Sequence, residues 1–212
     1  MTKRKIKLIH ILLLLFVIAV FIWSMIKPVG GYGLLALETG PAVIGVLIAI
    51  FTYKRFRLTT LSYLIIAVLA ILTFIGGHYT YSRVPLFNWI KDVFDLHRNH
   101  YDRFGHLLKG LFSIVIREIL LRKTPLMRGP WLIAIILSIS LAIGAFYEII
   151  EWLASLIGHG GKVSRNFLGT QGSKWDAEWD MLLNLIGSVL ALLFLSKLHN
   201  KQLNKVKSKD ES

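Results

Sequence analysis

The chain has no cysteine among its 212 residues, and acidic residues are scarce. The lack of cysteine excludes disulfides, thiolate metal sites and a cysteine nucleophile, so a metal ion would have to bind histidine and carboxylate groups. Lysine and arginine number 25 against 12 aspartates and glutamates, giving a net charge of +13. Charged residues still amount to only 17%, whereas 55% are apolar and the mean hydropathy is +0.61. This composition is typical of a membrane protein and not of a soluble one.

Six apolar segments have the length of roughly 17 to 25 residues that crosses a hydrocarbon core. They lie at about 8–26, 34–53, 59–77, 101–121, 131–153 and 179–196. The sequence therefore predicts an all-α polytopic membrane protein, a bundle of about six transmembrane helices. We expect one integral membrane domain over residues 1–212, ending in a basic tail at 198–212. The first segment is expected to be retained, because "WSMIKPVG" offers no small-residue cleavage site.

The basic residues alternate between the two sides of this predicted bundle. Residues 3–7, 54–57, 122–128 and 197–209 hold most of them and fall on one side, whereas the other side receives far fewer. The positive-inside rule then predicts that both termini and the basic tail lie in the cytoplasm. Membrane lipids are the predicted partners. Because topology accounts for the basic charge, we predict no nucleic-acid binding, and the oligomeric state is left open.

Two loops on the opposite side have their own patterns. In "VPLFNWIKDVFDL", apolar and polar residues separate onto two faces, which predicts a short helix lying in the membrane interface or packed on the bundle. In the second loop, over 158–178, glycines give way to "SKWD". There Ser173 and Asp176 have the spacing of a capping box, which predicts that the last helix begins before residue 179.

Ionisable and polar residues form stripes inside the last three predicted spans. Span four carries Asp102, His106, Lys109, Ser113 and Arg117, span five carries Glu148 and Glu151, and span six carries Asp176, Asp180 and Asn184. Each set repeats every three or four residues and so occupies one helix face. The acidic residues of all three spans fall in the outer half of the membrane. Since such side chains normally face a bundle interior, we predict that the three stripes meet.

The motifs "GGHYTYSRVP", "RNHYDRFGH", "AFYEIIEW" and "FLGTQGSKWDAEWDM" resemble those of the YjdF-like family of bacterial inner-membrane proteins. A more distant likeness is to the VanZ-like superfamily. The residues that match its pattern are Asp102, Arg103 and His106, then Glu148 or Glu151, then Gln171, and finally Asp180, Asn184 and Gly187. The arginine usual between the glutamine and the aspartate is missing, and Lys174 stands in that interval. The resemblance implies a fold and a site, with no assigned reaction.

The residue types suggest a metal or acid/base site at the outer end of the bundle. The candidate catalytic residues are Asp102, His106, Glu148, Glu151 and Asp180. The candidate ligands of a divalent metal ion are Asp102, His106, Glu148 and Asp180, with His78 and His100 supplied by loop ends. Further polar residues expected there are Gln171, Asp176, Asn184 and Arg103. Such a site would suit an enzyme acting on a lipid headgroup or a lipid-linked envelope precursor.

Other interpretations of the same residues stay open. The acids and His106 could form buried pairs that fix helix register, and Lys109 could neutralise Glu148. The polar stripe of span four could carry protons or ions through a transporter, or the protein could be a noncatalytic component of an envelope complex. Asn184 is expected in an interhelical hydrogen bond, and Arg117 at the cytoplasmic interface. Close packing is expected at Gly110, Gly144 and Gly187, and no role is predicted for His10, His97, His159 and His199.

Overall fold

The computed structural model describes residues 7–157 and 170–210, and every regular element in these two stretches is a helix. Eight α-helices are numbered here in chain order. They are α1 (Leu8–Ser24), α2 (Tyr32–Thr52), α3 (Thr60–Tyr79), α4 (Pro85–Val93), α5 (Tyr101–Lys109), α6 (Ser113–Lys123), α7 (Pro130–Ile157) and α8 (Asp176–Asp210). A single 3₁₀ turn, Gly110–Phe112, joins α5 to α6. The predicted all-α fold is confirmed.

Four of these helices are long and apolar enough to cross a membrane. They are α2, α3, the Pro130–Leu153 part of α7 and the Asp176–Val206 part of α8. The apolar helix α1 is shorter, with 17 residues. These five helices begin and end within a few residues of the predicted spans, except that α8 continues well beyond residue 196. Exposed apolar side chains cover their outer faces, as lipid-facing surfaces require.

The predicted fourth span, 101–121, is not one continuous helix. The backbone tightens into the 3₁₀ turn at Gly110, where it crosses α8. A Cβ atom at Gly110 would clash with the backbone of Gly187 and Ser188, and a Cβ atom at Gly187 would clash with the carbonyl oxygen of Leu107. Only glycines allow two helix backbones to approach this closely. The expected close-packing role of these two glycines is therefore confirmed.

Helix α3 packs against α1, α2 and α5, while α8 packs against α5, α6 and α7. The chain direction then defines two ends of the bundle. The acidic end holds the N-termini of α2, α5 and α8 and the C-terminal turns of α3 and α7. The basic end holds the N-termini of α1, α3 and α7 and the C-termini of α2 and α6. Residues close in space at each end come from distant parts of the sequence.

The segments outside the spans differ in part from expectation. Helix α4 forms as predicted and exposes the apolar side chains of Leu86, Trp89 and Val93. Over most of the predicted basic tail, 198–212, helix α8 runs on to Asp210 and buries His199 and Leu203. Helix α8 begins at Asp176, before residue 179 as predicted. The predicted capping box of Ser173 and Asp176 is wrong, because Asp176 occupies the first helical position and not the third. The glycine-rich part of that loop, 158–169, lies outside the described residues.

Candidate functional site

Three helices bring a histidine and three carboxyl groups together at the acidic end. Asp102 and His106 lie one turn apart at the start of α5, Asp180 lies in the second turn of α8, and Glu148 lies in the last part of α7. The contact of Gly110 with Gly187 holds α5 and α8 at the short distance that this arrangement needs. We refer to Asp102, His106, Glu148 and Asp180 as the acidic cluster.

The geometry of the acidic cluster is compact. One side-chain ligand atom from each of Asp102, His106 and Asp180 lies within 4.8 Å of the other two. The Nε2 atom of His106 lies 3.7 Å from Asp102 Oδ1 and 3.7 Å from Glu148 Oε1. These distances exceed a hydrogen bond, so the side chains face a common point without bonding directly to one another. His106 and Asp180 are almost fully buried.

Three buried atoms of the acidic cluster have no hydrogen-bond partner in the described part of the chain. They are Asp180 Oδ1, Glu148 Oε1 and His106 Nδ1. Buried polar atoms are almost always paired with protein or with ordered water or an ion, because an unpaired group costs about 1 to 3 kcal/mol or more. The cluster therefore has unused capacity for a polar ligand, unlike a set of ion pairs that satisfies itself.

Lys109 supplies a positive charge beside these acids. Its Nζ atom donates a hydrogen bond to His106 Nε2 at 2.8 Å and lies 4.2 Å from the centre of the Tyr147 ring. No ion pair within 4 Å joins Lys109 to Glu148 among the described residues, but Lys109 lies close enough to act on Glu148 through its charge, so neutralisation of that acid stays a prediction. Glu151, one turn beyond Glu148, adds a further acid that interacts electrostatically with Asp102, Glu148 and Asp180.

The polar residues of the two neighbouring loops form a clasp above the cluster. Arg98 makes a buried ion pair with Asp176, and Arg103 approaches the same carboxylate at 3.7 Å. Gln171 bonds the backbone of Asn99 twice, accepting from its N–H and donating to its carbonyl oxygen, each at 2.9 Å. We call these five residues the loop clasp. The predicted polar residues Gln171, Asp176 and Arg103 thus lie beside the cluster and tie α5 to α8.

Two predicted metal ligands do not join the acidic cluster. The prediction that His78 is a metal ligand is wrong. Its Nδ1 atom lies 3.1 Å from the carbonyl oxygen of Ser24 and its ring packs on Trp23, so His78 joins α3 to α1. His100 occupies the N-cap position of α5, and its side chain makes no capping hydrogen bond there. Burial and the nearby Arg103 and Arg98 guanidinium groups lower the pKa of His100. His100 is not among the three residues whose ligand atoms lie close together, which are Asp102, His106 and Asp180.

The predicted helix-packing residues behave as expected below the cluster. Asn184 donates from Nδ2 to the carbonyl oxygen of Ser140 at 2.9 Å, joining α8 to α7. A Cβ atom at Gly144 would lie 2.9 Å from that same amide nitrogen, so this glycine makes room for the bond. The interhelical role of Asn184 and the close packing at Gly144 are both confirmed. Asn184 therefore positions the helices and is not part of the converging set.

A second buried polar network, absent from our sequence interpretation, lies toward the basic end. The Glu118 carboxylate is fully buried and accepts hydrogen bonds from Thr59, Ser62 and Arg122 at 2.6 to 3.1 Å. His199 lies 3.3 Å from Glu118 Oε2 and also contacts Arg117 at 2.8 Å. Arg117 is therefore buried in this network and does not extend to the interface, which corrects that prediction. His199, given no role above, joins α8 to α6.

Glu38 on α2 was also missed. Its side chain is 3% exposed, and Oε2 has no hydrogen-bond partner among the described residues. A signal was present in the sequence, because an acidic residue inside an otherwise apolar span is unusual and commonly functional. It was overlooked since α2 has no second acid to form a stripe with it.

The long apolar helices around a buried polar cluster define an all-helical integral membrane protein. The chain belongs to the family described as "Predicted membrane protein (DUF2238)", which it matches over residues 9–201. It is 40% identical over 171 residues to "Inner membrane protein YjdF" of Escherichia coli (strain K12), which covers 80% of each chain. The resemblance to YjdF-like proteins is confirmed, and the likeness to the VanZ-like superfamily stays a prediction. No solved structure matches the chain.

Proposed function

We propose that this protein is a multi-pass inner-membrane protein that binds a divalent cation in the acidic cluster and uses it to act on a lipid headgroup or a lipid-linked envelope precursor. One observation carries the proposal. Ligand atoms of Asp102, His106 and Asp180 converge to within 4.8 Å, and buried atoms of His106, Glu148 and Asp180 lack partners. The inner-membrane location is inferred from the relative in Escherichia coli.

The spacing of the ligand atoms suits a cation. Two ligands bound to one ion are separated by at most twice the metal–ligand distance, about 4.2 Å for Zn²⁺ or Mg²⁺ and about 4.8 Å for Ca²⁺. The three ligand atoms lie within 4.8 Å of one another, a spread that Ca²⁺ allows and that lies close to the spread allowed by the smaller ions. Histidine and carboxylate groups are both ligands that zinc accepts, and a site with three protein ligands leaves a fourth position for water or substrate.

The surroundings of the cluster favour a substrate in the membrane. The cluster lies within about two turns of the ends of α5 and α8, where a headgroup could reach it from the interface. Helix α4 lies beside this entrance, since Phe87 packs on Tyr101 and Asn88 accepts a hydrogen bond from Asn99 at 2.8 Å. Its exposed Leu86, Trp89 and Val93 are suited to insertion among lipids. A lipid could thus approach the cluster along α4.

Metal content tests the proposal directly. The purified protein should bind one divalent ion per chain, and Asp102→Asn, His106→Ala and Asp180→Asn should each lose it while remaining folded. Glu178→Gln is the matched control, because Glu178 is an exposed acid within one turn of Asp180 on α8. Elemental analysis, Mn²⁺ binding and thermal unfolding in detergent give the readouts. A parent protein without bound metal, combined with a large loss of stability in all three variants, would contradict the proposal and favour structural ion pairs.

A transporter is the second candidate, favoured by one observation. Buried polar side chains continue from the acidic cluster toward Glu118: Asn184 bonds Ser140, the Ser140 and Ser188 hydroxyls lie 2.6 Å apart, and Ser113 reaches the Ser188 carbonyl oxygen at 3.5 Å. Such a ladder could carry protons. Proteoliposomes loaded with a pH-sensitive dye distinguish the two functions. Proton flux that is lost in Ser188→Ala and retained in His106→Ala would favour transport over an enzyme.

We also infer that both termini are cytoplasmic and that the chain crosses the membrane six times, with α5, the 3₁₀ turn and α6 together forming the fourth crossing. The distribution of lysine and arginine supports this orientation, because the basic end carries residues 54–57, 122–128 and 197–205. The acidic cluster then faces the outer side of the inner membrane.

A further inference from the structure

Glu38 is a buried acid whose surroundings place it beside the acidic cluster. It lies in the second turn of α2, at the same end of the bundle as Asp102. Helix α2 packs against α3, and α3 in turn packs against α5, which carries Asp102. Its burial and its unpartnered Oε2 atom distinguish it from neighbouring Leu37, which is 47% exposed on the lipid-facing side of α2.

Two adjacent glycines of α3 make space for polar groups between α2 and α5. A Cβ atom at Gly77 would lie 3.6 Å from Glu38 Oε2, and a Cβ atom at Gly76 would lie 2.7 Å from the Tyr81 ring. Glu38 and Tyr81 thus fill the space at the end of α3 that is free because Gly76 and Gly77 have no side chains. Tyr81 is buried, and its hydroxyl group has no hydrogen-bond partner in the described residues.

Tyrosine side chains connect this space with the acidic cluster. The Tyr81 ring lies 5.8 Å from the Tyr101 ring, centre to centre, and Tyr101 directly precedes Asp102 at the start of α5. The Tyr147 ring lies 6.1 Å from the ring of His106, centre to centre, and carries the Lys109 ammonium group on its face. Unpartnered polar atoms therefore occur at both ends of one buried region, Glu38 Oε2 and the Tyr81 hydroxyl on one side and Asp180 Oδ1 and Glu148 Oε1 on the other.

A single hydrated chamber would satisfy all of these atoms. Buried water makes two to four hydrogen bonds to groups that otherwise lack partners, and a polar lining is the condition for its presence. Pro41 adds a further acceptor near Glu38, because proline has no N–H to donate to the carbonyl oxygen of Leu37. Buried polar groups are normally hydrogen-bonded to protein or to ordered water, and these groups have no protein partner. Water in a shared chamber therefore explains why so many of them lie in one region.

We infer that Glu38 is a further residue of the proposed site: it lines the same chamber as the acidic cluster and supplies a fourth carboxylate near the cation. This inference rests on the proposed function. When a cation enters, carboxyl groups nearby release protons, since the ion favours their charged forms. Glu38 does not bind the ion directly, and its ionised carboxylate strengthens cation binding through the electrostatic field.

The absence of cysteine allows a clean test by single-cysteine labelling in lipid nanodiscs. Glu38→Cys should react with 2-aminoethyl methanethiosulfonate about tenfold or more faster than Leu37→Cys, because the thiolate is the reactive form and hydrocarbon suppresses it. The Leu37 position is the matched control at equal depth on the other face. Mn²⁺ should slow the labelling of Glu38→Cys. Equal rates at the two positions would overturn the inference.

A second variant covers the case in which Glu38→Cys does not accumulate. Glu38→Gln should still bind Mn²⁺, with affinity lowered about tenfold through loss of one nearby charge. Asp95→Asn, at an exposed loop acid, should bind like the parent. Unchanged affinity in Glu38→Gln, or labelling of Glu38→Cys that Mn²⁺ does not slow although the parent binds Mn²⁺, would overturn the inference. If the parent protein binds no Mn²⁺, the proposed function is overturned instead. That measurement needs no Glu38 variant, so the two failures can be distinguished.

Discussion

At the residue scale, the two buried polar centres differ in how their carboxyl groups are satisfied. Glu118 has donors from Thr59, Ser62 and Arg122 around both oxygens. Asp180 and Glu148 each keep an oxygen without a partner in the described residues. A carboxylate surrounded by donors stabilises the fold and has little capacity for a ligand, whereas an unsatisfied one costs stability and can bind something. We therefore assign a structural role to Glu118, and the contrast supports the proposed binding of a ligand in the acidic cluster.

Removing the Glu118 carboxylate should destabilise the protein strongly. Glu118→Ala leaves Arg122 and His199 without their acidic partner, and breaking a buried pair typically costs about 3 to 5 kcal/mol. Thermal or denaturant unfolding in detergent measures the effect. Asp92→Asn is the control, because its ion pair with Lys91 is exposed and such pairs contribute about 0 to 1 kcal/mol. Similar losses in the two variants would contradict the structural role of Glu118.

Sequence patterns could predict the converging acids, but not the direction of every side chain. Asp102, His106, Glu148 and Asp180 were predictable because acids at the same depth on several helices seldom face lipid. His78 was misplaced because packing on Trp23 turns its ring toward α1, and no periodicity reports that contact. Glu38 was missed for a related reason. A lone acid produces no stripe, and its neighbours on α3 become visible only in three dimensions.

At the scale of elements, the crossing of α5 and α8 controls the site. The backbones meet where Gly110 faces Gly187, and this contact sets the distance between Asp102 and Asp180. The 3₁₀ turn at the crossing could not be predicted from local sequence, because it depends on a glycine 77 positions away in the chain. The ends of the long apolar helices were predictable to within a few residues, since hydrophobic length alone determines them.

Gly187→Ala should separate these helices. The added Cβ would clash with the carbonyl oxygen of Leu107, and overpacking of this kind typically costs about 1 to 3 kcal/mol. The melting temperature in detergent should fall, and Mn²⁺ binding should weaken because Asp180 moves away from Asp102. The comparison is Gly33→Ala in α2, where a Cβ would meet nothing within 4 Å and alanine favours the helix. If Gly187→Ala behaved like Gly33→Ala, the close crossing would be wrong.

At the scale of the whole molecule, charge and chemistry are divided between the two ends. The basic end carries the lysines and arginines of 54–57, 122–128 and 197–205, and the acidic end carries the cluster and the loop clasp. In the proposed orientation this arrangement keeps the acidic end outside and anchors the basic end at the anionic inner surface.

Single cysteines test that orientation. Asp92→Cys in the last turn of α4 should react with an impermeant maleimide in intact cells, since Asp92 is exposed at the acidic end. Lys54→Cys and Lys201→Cys, exposed at the basic end, should react only after the cells are lysed. The cysteine-free parent gives the background in both conditions. Labelling of Lys54→Cys in intact cells would reverse the proposed orientation.

Helix α8 links the two polar centres through one continuous rod. It carries Asp180 in the acidic cluster and His199 in the Glu118 network, which lie about 28 Å apart along an ideal helix axis. A helix hardly stretches, so a tilt or axial shift at one of these residues is carried to the other. A ligand in the acidic cluster that shifted α8 would therefore also shift the contact of His199 with Glu118 at the basic end. In the proposed orientation, such a shift would report binding to the opposite side of the membrane although the ligand itself does not cross.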